Sequence, residues 1–449
     1  MKKIITLFTI LAPFWAFSQT SPILESYIQE GLKQNLGLKQ ERLEITKSAE
    51  SIAQAKANFM PKVTFNPNYT LAAGGRRLEF PIGDLLNPVY STLNQLTKTN
   101  NFPQVENVNQ LLAPNNFHDT KLSFQYPIFN TDIRYNLLIQ RDLLSAQEAK
   151  KRVLENEIRY SITTAYLQYL QTLEAQKIFD TSRNLLTDFV KLNEKLVSNN
   201  VATKDVVYSA EYEVSKLDQQ IAILDKNRQT VKVFLNFLMN REFSEEIAAD
   251  TNLVNTKLLT ENLTQLKEDA LANRQEINQL RTNIKVSESA IKLQEMNTFR
   301  PQVFLGGNVG FQGYGYTFKN QAYMLGQIGL SWDLYHGYEK KSKIQQAKIQ
   351  KNILDTKLEE IKQQIQLQVS QAYFDLEAAK KSLITAQDGT KKAEKYFKIV
   401  ESRYRNGQAI MIEYLRASNE IITARLQESV AKYDILVKQA TLDKVGAVK

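Results

Sequence analysis

The sequence predicts a mainly α-helical chain with a small β part, built as two repeats of helix, strand pair and long helical hairpin. Glycine is absent between Gly83 and Gly306, and proline is absent between Pro127 and Pro301. Neither residue occurs in the range 338–388. Because glycine and proline break helices, stretches without them favour very long helices.

In these stretches apolar residues recur at steps of three, four or seven, with polar residues between them. This spacing predicts amphipathic helices. A single helix from Asp132 to Asn199 would be roughly 100 Å long. No globular core needs such a helix, so it indicates a coiled coil or the wall of a helical barrel. The predicted segments are helices at about 132–197 and 204–239 with a tip at 198–203, and helices at about 340–403 and 411–441 with a tip at 405–408.

Four short runs alternate apolar and polar residues and carry aromatic side chains, as membrane strands of about ten residues do. The alternative is a soluble pair of hairpins that caps a helical bundle. Four strands cannot close a transmembrane barrel, since open sheet edges are not tolerated in lipid. Membrane strands would therefore require several chains to share one barrel. The predicted strands are residues 62–71, 120–129, 302–312 and 323–334.

A short motif occurs twice and defines the repeat. Each copy should end a helix and open a strand, with Pro61 and Pro301 as the helix-to-strand breakers. The repeats cover about 22–240 and 262–445, and the longer strand connection at 74–118 is predicted to be an outward-facing loop. The two copies are Phe59-x-Pro61-x-Val63 and Phe299-x-Pro301-x-Val303.

The N-terminus has the pattern of a signal peptide at residues 1–18, which would leave a mature chain of 19–449. Lys2 and Lys3 precede an apolar stretch, and small residues stand before a cleavage point after Ser18. The alternative is a membrane anchor, but the apolar run is short and ends abruptly. The sequence therefore predicts an exported chain.

Composition excludes several classes of function. The chain has no cysteine, which rules out disulfides, thiolate metal sites and a lipidated cysteine. The net charge of +9 comes from interleaved acids and bases, typical of a solvated helical surface and not of a nucleic-acid-binding tail. The only histidines, His118 and His336, stand alone beside predicted strands. Catalytic and phosphate-binding motifs are absent, so we expect no cofactor, no metal site and no enzyme activity.

With these motifs and the two tip segments, the chain resembles the TolC family of outer-membrane efflux proteins over nearly its whole mature length. The resemblance implies a homotrimer in the outer membrane of a Gram-negative cell, where a twelve-stranded β-barrel in lipid continues into a long α-helical barrel in the periplasm. It also implies a passive channel that works with a periplasmic adaptor (a membrane fusion protein) and a proton-driven or ATP-driven inner-membrane pump. The tip segments are Asn199-Asn200-Val201-Ala202-Thr203-Lys204-Asp205-Val206-Val207 and Asn406-Gly407-Gln408-Ala409-Ile410-Met411-Ile412-Glu413-Tyr414-Leu415.

The same resemblance places a periplasmic gate just past the second tip. In the family, two acidic positions just past this tip form two acidic rings around the pore. Here Glu413 keeps the acid at the first position, whereas Arg416 reverses the charge at the second. The Glu413 and Arg416 side chains of three copies could therefore form ion pairs with one another across a closed pore. Tyr404 matches a tyrosine that holds the inner hairpin closed. The alternatives are solvated side chains at Glu413 and Arg416 and a packing role for Tyr404. The adaptor-docking tip residues implied by the family are Asn199, Asn200, Val201, Asp205, Gly407 and Gln408.

Another class of protein with a long helical hairpin is the periplasmic coiled-coil adaptor or scaffold. An adaptor should carry one hairpin flanked by glycine-rich β domains, whereas this sequence predicts two hairpins and little other β structure. The sequence therefore favours an exit duct for a tripartite efflux or type I secretion system.

Overall fold

The computed structural model describes residues 21–112, 115–250 and 262–447, so the predicted signal peptide lies outside the described residues. The described chain is mainly helical with a few strands, which confirms the predicted fold class. The helices are α1 (Pro22–Gln34), α2 (Leu36–Ala57), α3 (Ile82–Thr97), α4 (Thr131–Ser198), α5 (Lys204–Met239), α6 (Leu263–Asn273), α7 (Gln275–Phe299), α8 (Glu339–Arg405) and α9 (Met411–Gly446). The strands are β1 (Lys62–Thr70), β2 (Arg77–Phe80), β3 (Val108–Leu111), β4 (Phe117–Phe129), β5 (Gln302–Tyr314) and β6 (Ala322–Ser331).

Apart from β2, α3 and β3, which occur only in the first half, the order of elements is the same in the two halves. A helix pair leads to two sheet strands and then to a long hairpin, whose helices have 68 and 36 residues in the first half and 67 and 36 in the second. The opening helix of each half is broken once, where Asn35 and Arg274 have extended ψ angles of 129° and 126°. Pro61 directly precedes β1, and Pro301 directly precedes β5. The sequence did not predict the break, since neither break residue is a glycine or a proline.

The chain divides into two compact units, and the first of them is helical. It contains the described parts of Met1–Ala49, Asp142–Lys285 and Lys351–Lys449. One hydrophobic cluster packs α1 against α4 and α5, and a second packs α6 against α8 and α9, so each opening helix is buried on its own hairpin. Burial of an apolar helix face in this way is the main source of stability for long amphipathic helices.

The second unit, Glu50–Arg141 and Val286–Gln350, contains a four-stranded antiparallel sheet in the order β1-β4-β5-β6. Residues paired across the strands share a face, and one face is mainly apolar while the other is mainly polar. The apolar face is mostly exposed in the single chain. It carries Val63, Phe65, Tyr69, Leu122, Phe124, Tyr126, Val303, Leu305, Val309, Phe311, Met324, Ile328 and Leu330, and the polar face carries Thr64, Asn66, Asn68, Asp119, Lys121, Ser123, Gln125, Asn308, Gln312, Tyr323 and Gln327.

Glycines in β5 allow neighbouring strands to approach closely. A Cβ on Gly307 would lie 2.8 Å from the carbonyl oxygen of Leu325. A Cβ on Gly310 would lie 2.7 Å from Cα of Lys121. These positions therefore have no room for a side chain without movement of the backbone.

The last strand is shorter than predicted. The predicted range 323–334 extends past the observed end of β6 at Ser331, and Trp332 is outside the sheet. Ser331 pairs with Gln302, the first residue of β5, and Pro301 before it has no N–H to continue the ladder. The strand therefore ends where its partner ends.

The connection at 74–118 was predicted as a loop and is instead a folded insert that runs into β4. Strands β2 and β3 form a two-stranded sheet, and α3 lies between them in sequence. The asparagines that suggested a loop hold the insert together: Asn87 binds the backbone N–H and carbonyl of Val105 at 2.7 and 2.9 Å, and Asn94 binds Phe102 similarly. Hydrogen bonds from side-chain amides to backbone N–H and carbonyl groups can take the place of the backbone hydrogen bonds of a helix or sheet.

The sequence placed His118 beside a predicted strand, and the structure places it within β4, where it is fully buried. Its Nε2 is 2.6 Å from Oε1 of Gln321 and 2.9 Å from the carbonyl of Thr317. The rings of Tyr316 and Phe318 cover it. His118 therefore fixes the connection between β5 and β6.

Candidate functional site: the two hairpin tips

The first hairpin tip, between α4 and α5, is a tight turn that ends α4. Asn200 has a φ of 61°, and its N–H donates to the carbonyl of Val197 at 3.0 Å. The N–H of Val201 donates to the carbonyl of Leu196 at 2.9 Å. This pair of bonds is a Schellman motif, in which a left-handed residue satisfies the last carbonyls of a helix. Asn200, and not its neighbour Asn199, takes the left-handed position.

The second tip, between α8 and α9, has the same geometry. Gly407 has a φ of 69°, and its N–H donates to the carbonyl of Tyr404 at 3.0 Å. The N–H of Gln408 donates to the carbonyl of Arg403 at 2.8 Å, and the Arg403 guanidinium returns a bond to the Gln408 carbonyl. Asn200 and Gly407 are therefore equivalent residues of the repeat. When Asn200 and Gly407 are aligned, Glu413 corresponds to Val206. The acidic residue after the first tip, Asp205, therefore lies one position before the equivalent of Glu413.

Both helices after the tips begin without a side-chain cap from their N-cap residues, Thr203 and Ile410. Asp205 and Glu413 lie in the first turns of α5 and α9. A carboxylate at this position is favoured by the helix dipole. The Thr203 hydroxyl donates to the Asp205 carboxylate, which orders the start of α5.

An aromatic cluster joins the four hairpin helices beside the tips. Tyr414 of α9 stacks on Phe189 of α4, with ring centroids 4.0 Å apart and planes 8° apart. Phe397 of α8 meets the Tyr414 ring edge-on at 5.6 Å, and Ala210 of α5 completes the same buried cluster. Burial is the main cause that raises the pKa of Tyr414, with a further contribution from Glu401. The cluster therefore fixes the two hairpins to each other near their tips.

Tyr404 forms a buried polar contact within this cluster. Its hydroxyl donates to Oδ1 of Asn193 on α4 at 2.6 Å, and Nδ2 of Asn193 donates to the Phe189 carbonyl at 2.8 Å. Asn193 is fully buried. Burial raises the pKa of Tyr404 and outweighs the lowering by the bond to Asn193, so the hydroxyl remains a donor. The bond joins the end of α8 to α4.

The two charged gate candidates do not contact each other within the chain. Arg416 Nε donates to Oε1 of Glu420, one turn further along α9, at 3.0 Å. Glu413 is 3.8 Å from the Arg403 guanidinium, and its Oε2 is buried without a hydrogen bond. Glu413 therefore has unused hydrogen-bonding capacity, whereas Arg416 already has an acidic partner. Arg416 also lines a shallow groove with Tyr208 and Tyr212 of α5.

The polar face of the sheet carries one charged group of three residues. The Lys121 ammonium donates to the Asp119 carboxylate, and the Tyr323 hydroxyl donates to the same carboxylate at 3.0 Å. Amide and hydroxyl side chains make up most of the rest of that face. In the described parts of the chain, no group of three or more His, Asp or Glu is placed to hold a metal ion. No helix among the described residues is long and apolar enough to cross a bilayer.

Replacement of Tyr404 by Phe should destabilise the tips by about 1–3 kcal/mol, because it leaves the buried Asn193 oxygen without a donor. Hydrogen exchange of amides around 185–200 and 397–415 should accelerate accordingly. The matched control is Tyr396→Phe, an exposed tyrosine of the same helix, for which we expect a change within about 0.5 kcal/mol. Equal exchange in the two variants would mean that the Tyr404 bond contributes nothing to tip stability.

The sequence comparisons identify the second half of the chain directly. Residues 266–446 match the family model described as Outer membrane efflux protein, a range that covers β5, β6 and most of α6 to α9. This is a family of channels and not of enzymes, as the sequence predicted. No curated protein matches the sequence.

Solved structures extend the likeness to the whole fold. The outer-membrane channel OprN is 15% identical, with a TM-score of 0.75, and the match covers 95% of this chain and 90% of that chain. VceC from Vibrio cholerae is 16% identical, with a TM-score of 0.73 and coverage of 94% and 96%. The open state of MtrE from Neisseria gonorrhoeae is 16% identical, with a TM-score of 0.73 and coverage of 95% and 89%.

These matches agree with the two-hairpin architecture and the four-stranded sheet. The predicted TolC-type outer-membrane factor is confirmed, and with it the outer-membrane location and a channel function. Residues 266–446 therefore carry the region that matches the outer membrane efflux protein family, and the chain as a whole shares its fold with solved outer-membrane channels.

Proposed function

We propose that three copies of the chain assemble into one exit duct, each contributing its four-stranded sheet to a twelve-stranded barrel. The observation that carries the proposal is the sheet itself. In the described residues its edge strands β1 and β6 each pair on one side only, and its apolar face is exposed. Such a sheet is stable in lipid only if further strands close it.

In this assembly the apolar face of the sheet contacts lipid and the polar face lines the pore. The four strands of each chain in this barrel are β1, β4, β5 and β6. They correspond to the ranges predicted near 62–71, 120–129, 302–312 and 323–334. The ion pair of Lys121 and Asp119 then lies on the pore wall, where each charge is neutralised by its neighbour. The two repeats, near 22–240 and 262–445, each supply two strands and one helical hairpin.

The helical part extends into the periplasm, where the duct couples to an adaptor and an inner-membrane pump. The tips are the surfaces we assign to the adaptor. Their turns are rigid, since each is closed by two backbone bonds, and they expose apolar side chains such as Val201 and Ile410. The proposed docking residues are Asn199, Asn200, Val201, Asp205, Gly407 and Gln408.

The proposed gate consists of Tyr404, Glu413 and Arg416. Tyr404 holds α8 to α4 in one chain. Glu413 has only a long contact with Arg403 and no hydrogen bond at Oε2, so Arg416 of a neighbouring copy could bind its carboxylate. Arg416 would then exchange its exposed bond to Glu420 for a bond between chains. Exposed ion pairs contribute about 0–1 kcal/mol each, so three such pairs would close the pore weakly and reversibly.

Single-channel conductance in planar bilayers tests the duct and the gate together. Wild-type particles should conduct poorly, and Glu413→Ala with Arg416→Ala should raise conductance severalfold at low salt, where ion pairs are strongest. The matched control removes a different ion pair of α8, that of Glu359 and Lys362. This double substitution should leave the conductance unchanged. Unchanged conductance in the gate variant would refute the gate, and an absence of conductance in all variants would refute the duct.

The adaptor alternative is not favoured. An adaptor would use one hairpin, whereas this chain has two equivalent hairpins and a sheet with one exposed apolar face. The channel fold of the whole chain supports the duct instead.

A further inference from the structure

The insert between β1 and β4 exposes a row of apolar side chains on α3. Leu85, Val89 and Leu96 follow each other at steps of four and seven residues, which places them on one face of the helix. Their exposed fractions are 69%, 51% and 77%. Exposed apolar groups at helical spacing mark a surface that another molecule covers. We call Leu85, Val89 and Leu96 the α3 stripe.

The α3 stripe cannot turn inward, because the opposite face of α3 is already bound to the rest of the insert. The Asn87 and Asn94 amides each make two hydrogen bonds to the backbone of the returning segment. Tyr90 packs on Phe102, with ring centroids 5.8 Å apart. Gly83 is buried, and a Cβ there would collide with the Val105 carbonyl. The helix is therefore fixed with its stripe outward.

The charge of α3 restricts what can cover the stripe. Asp84 is the only Asp, Glu, Lys or Arg in the helix, and its carboxylate accepts a bond from Asn107 at 3.0 Å. Helices that lie on a lipid surface carry Lys or Arg on their polar face, and α3 has neither. A strongly charged protein partner would find no complementary charge. An equally uncharged surface fits, and α3 of another copy is such a surface.

The position of the insert also indicates that another copy of the chain covers the stripe. The insert directly follows β1, which is an edge strand of the four-stranded sheet. In the proposed trimer β1 pairs with β6 of the neighbouring copy, so every insert emerges beside a subunit boundary. Contacts of this kind close into a ring under three-fold symmetry.

We propose that the three inserts of a trimer pack against one another through their α3 stripes and form a cap at the outer mouth of the duct. This inference rests on the proposed trimer, but no step of it uses the periplasmic gate. The cap would be an apolar constriction of the duct. Burial of three such side chains from each of three chains removes a large apolar area from water and so can order the cap.

Single-cysteine cross-linking tests the cap, since the chain contains no cysteine of its own. Val89→Cys and Leu96→Cys place thiols on the stripe, and Gln95→Cys places one on the exposed polar side of α3 as the matched control. Purified trimers are treated with a short bismaleimide and separated on a denaturing gel. We expect covalent dimers in most of the Val89→Cys and Leu96→Cys chains and at least tenfold fewer in Gln95→Cys.

The cap is refuted if particles with three chains give no cross-link at either stripe position. Protection of the stripe thiols from a bulky maleimide without cross-linking also refutes it, because lipid or another protein would then cover the stripe. A particle with a copy number other than three refutes the proposed trimer itself, and the cap fails with it. Native mass measurement of each sample separates these outcomes.

Discussion

Replacement of Gly310 by Ala should abolish insertion of the sheet in its native register. A Cβ at this position would lie 2.7 Å and 2.9 Å from Cα and Cβ of Lys121, and closer still to the Thr120 carbonyl oxygen. These atoms belong mostly to the backbone of β4, so no rotamer change relieves the clash. Overpacking costs about 1–3 kcal/mol where side chains can move, and we expect at least the upper end here.

The consequence is large because β4 and β5 form the central pair of the sheet and join the strands of the two repeats. The matched control is Gly326→Ala in β6, where a Cβ would meet nothing within 4 Å. Outer-membrane fractions should contain little assembled Gly310→Ala protein and normal amounts of Gly326→Ala protein. Equal amounts of both would contradict the close approach of β4 and β5.

The second large effect is expected at the hairpin tips. Tyr414→Ala removes a ring that is 4% exposed and stacked on Phe189 at 4.0 Å. Truncation of a buried aromatic side chain costs about 3–5 kcal/mol, part of it from the cavity left behind. Because Tyr414 connects α9 to α4 and α8, the hairpins should separate near the tips and the mean conductance should rise.

The matched control is Phe374→Ala on α8, an aromatic residue that is 61% exposed. It should change neither tip hydrogen exchange nor conductance. If Tyr414→Ala unfolds the tips without raising conductance, the tips do not close the pore. If it does neither, the aromatic cluster has no role in tip stability.

Much of the fold could be predicted because its signals are local. The lack of glycine and proline predicts the long helices, and the twice-occurring Phe-x-Pro-x-Val motif predicts the change from helix to strand. Asn200 and Gly407 stand where a helix must reverse, and left-handed backbone favours these two residue types. Even the Arg416 to Glu420 pair can be read from the sequence as an i, i+4 pair.

The remaining features depend on contacts distant in sequence. Asn193 and Tyr404 are 211 residues apart, so only the fold brings them together, although an asparagine within an apolar helix stripe was a usable signal. The end of β6 is set by Pro301, through its partner strand. The insert was mistaken for a loop because asparagine favours turns, whereas here its side chains bind a returning segment.

The copy number of the particle tests the central claim most directly. Native mass spectrometry of the protein extracted from outer membranes in mild detergent should show three chains per particle, because four strands per chain must combine to close a barrel. A stable particle with one or two chains that still conducts in bilayers would contradict the account.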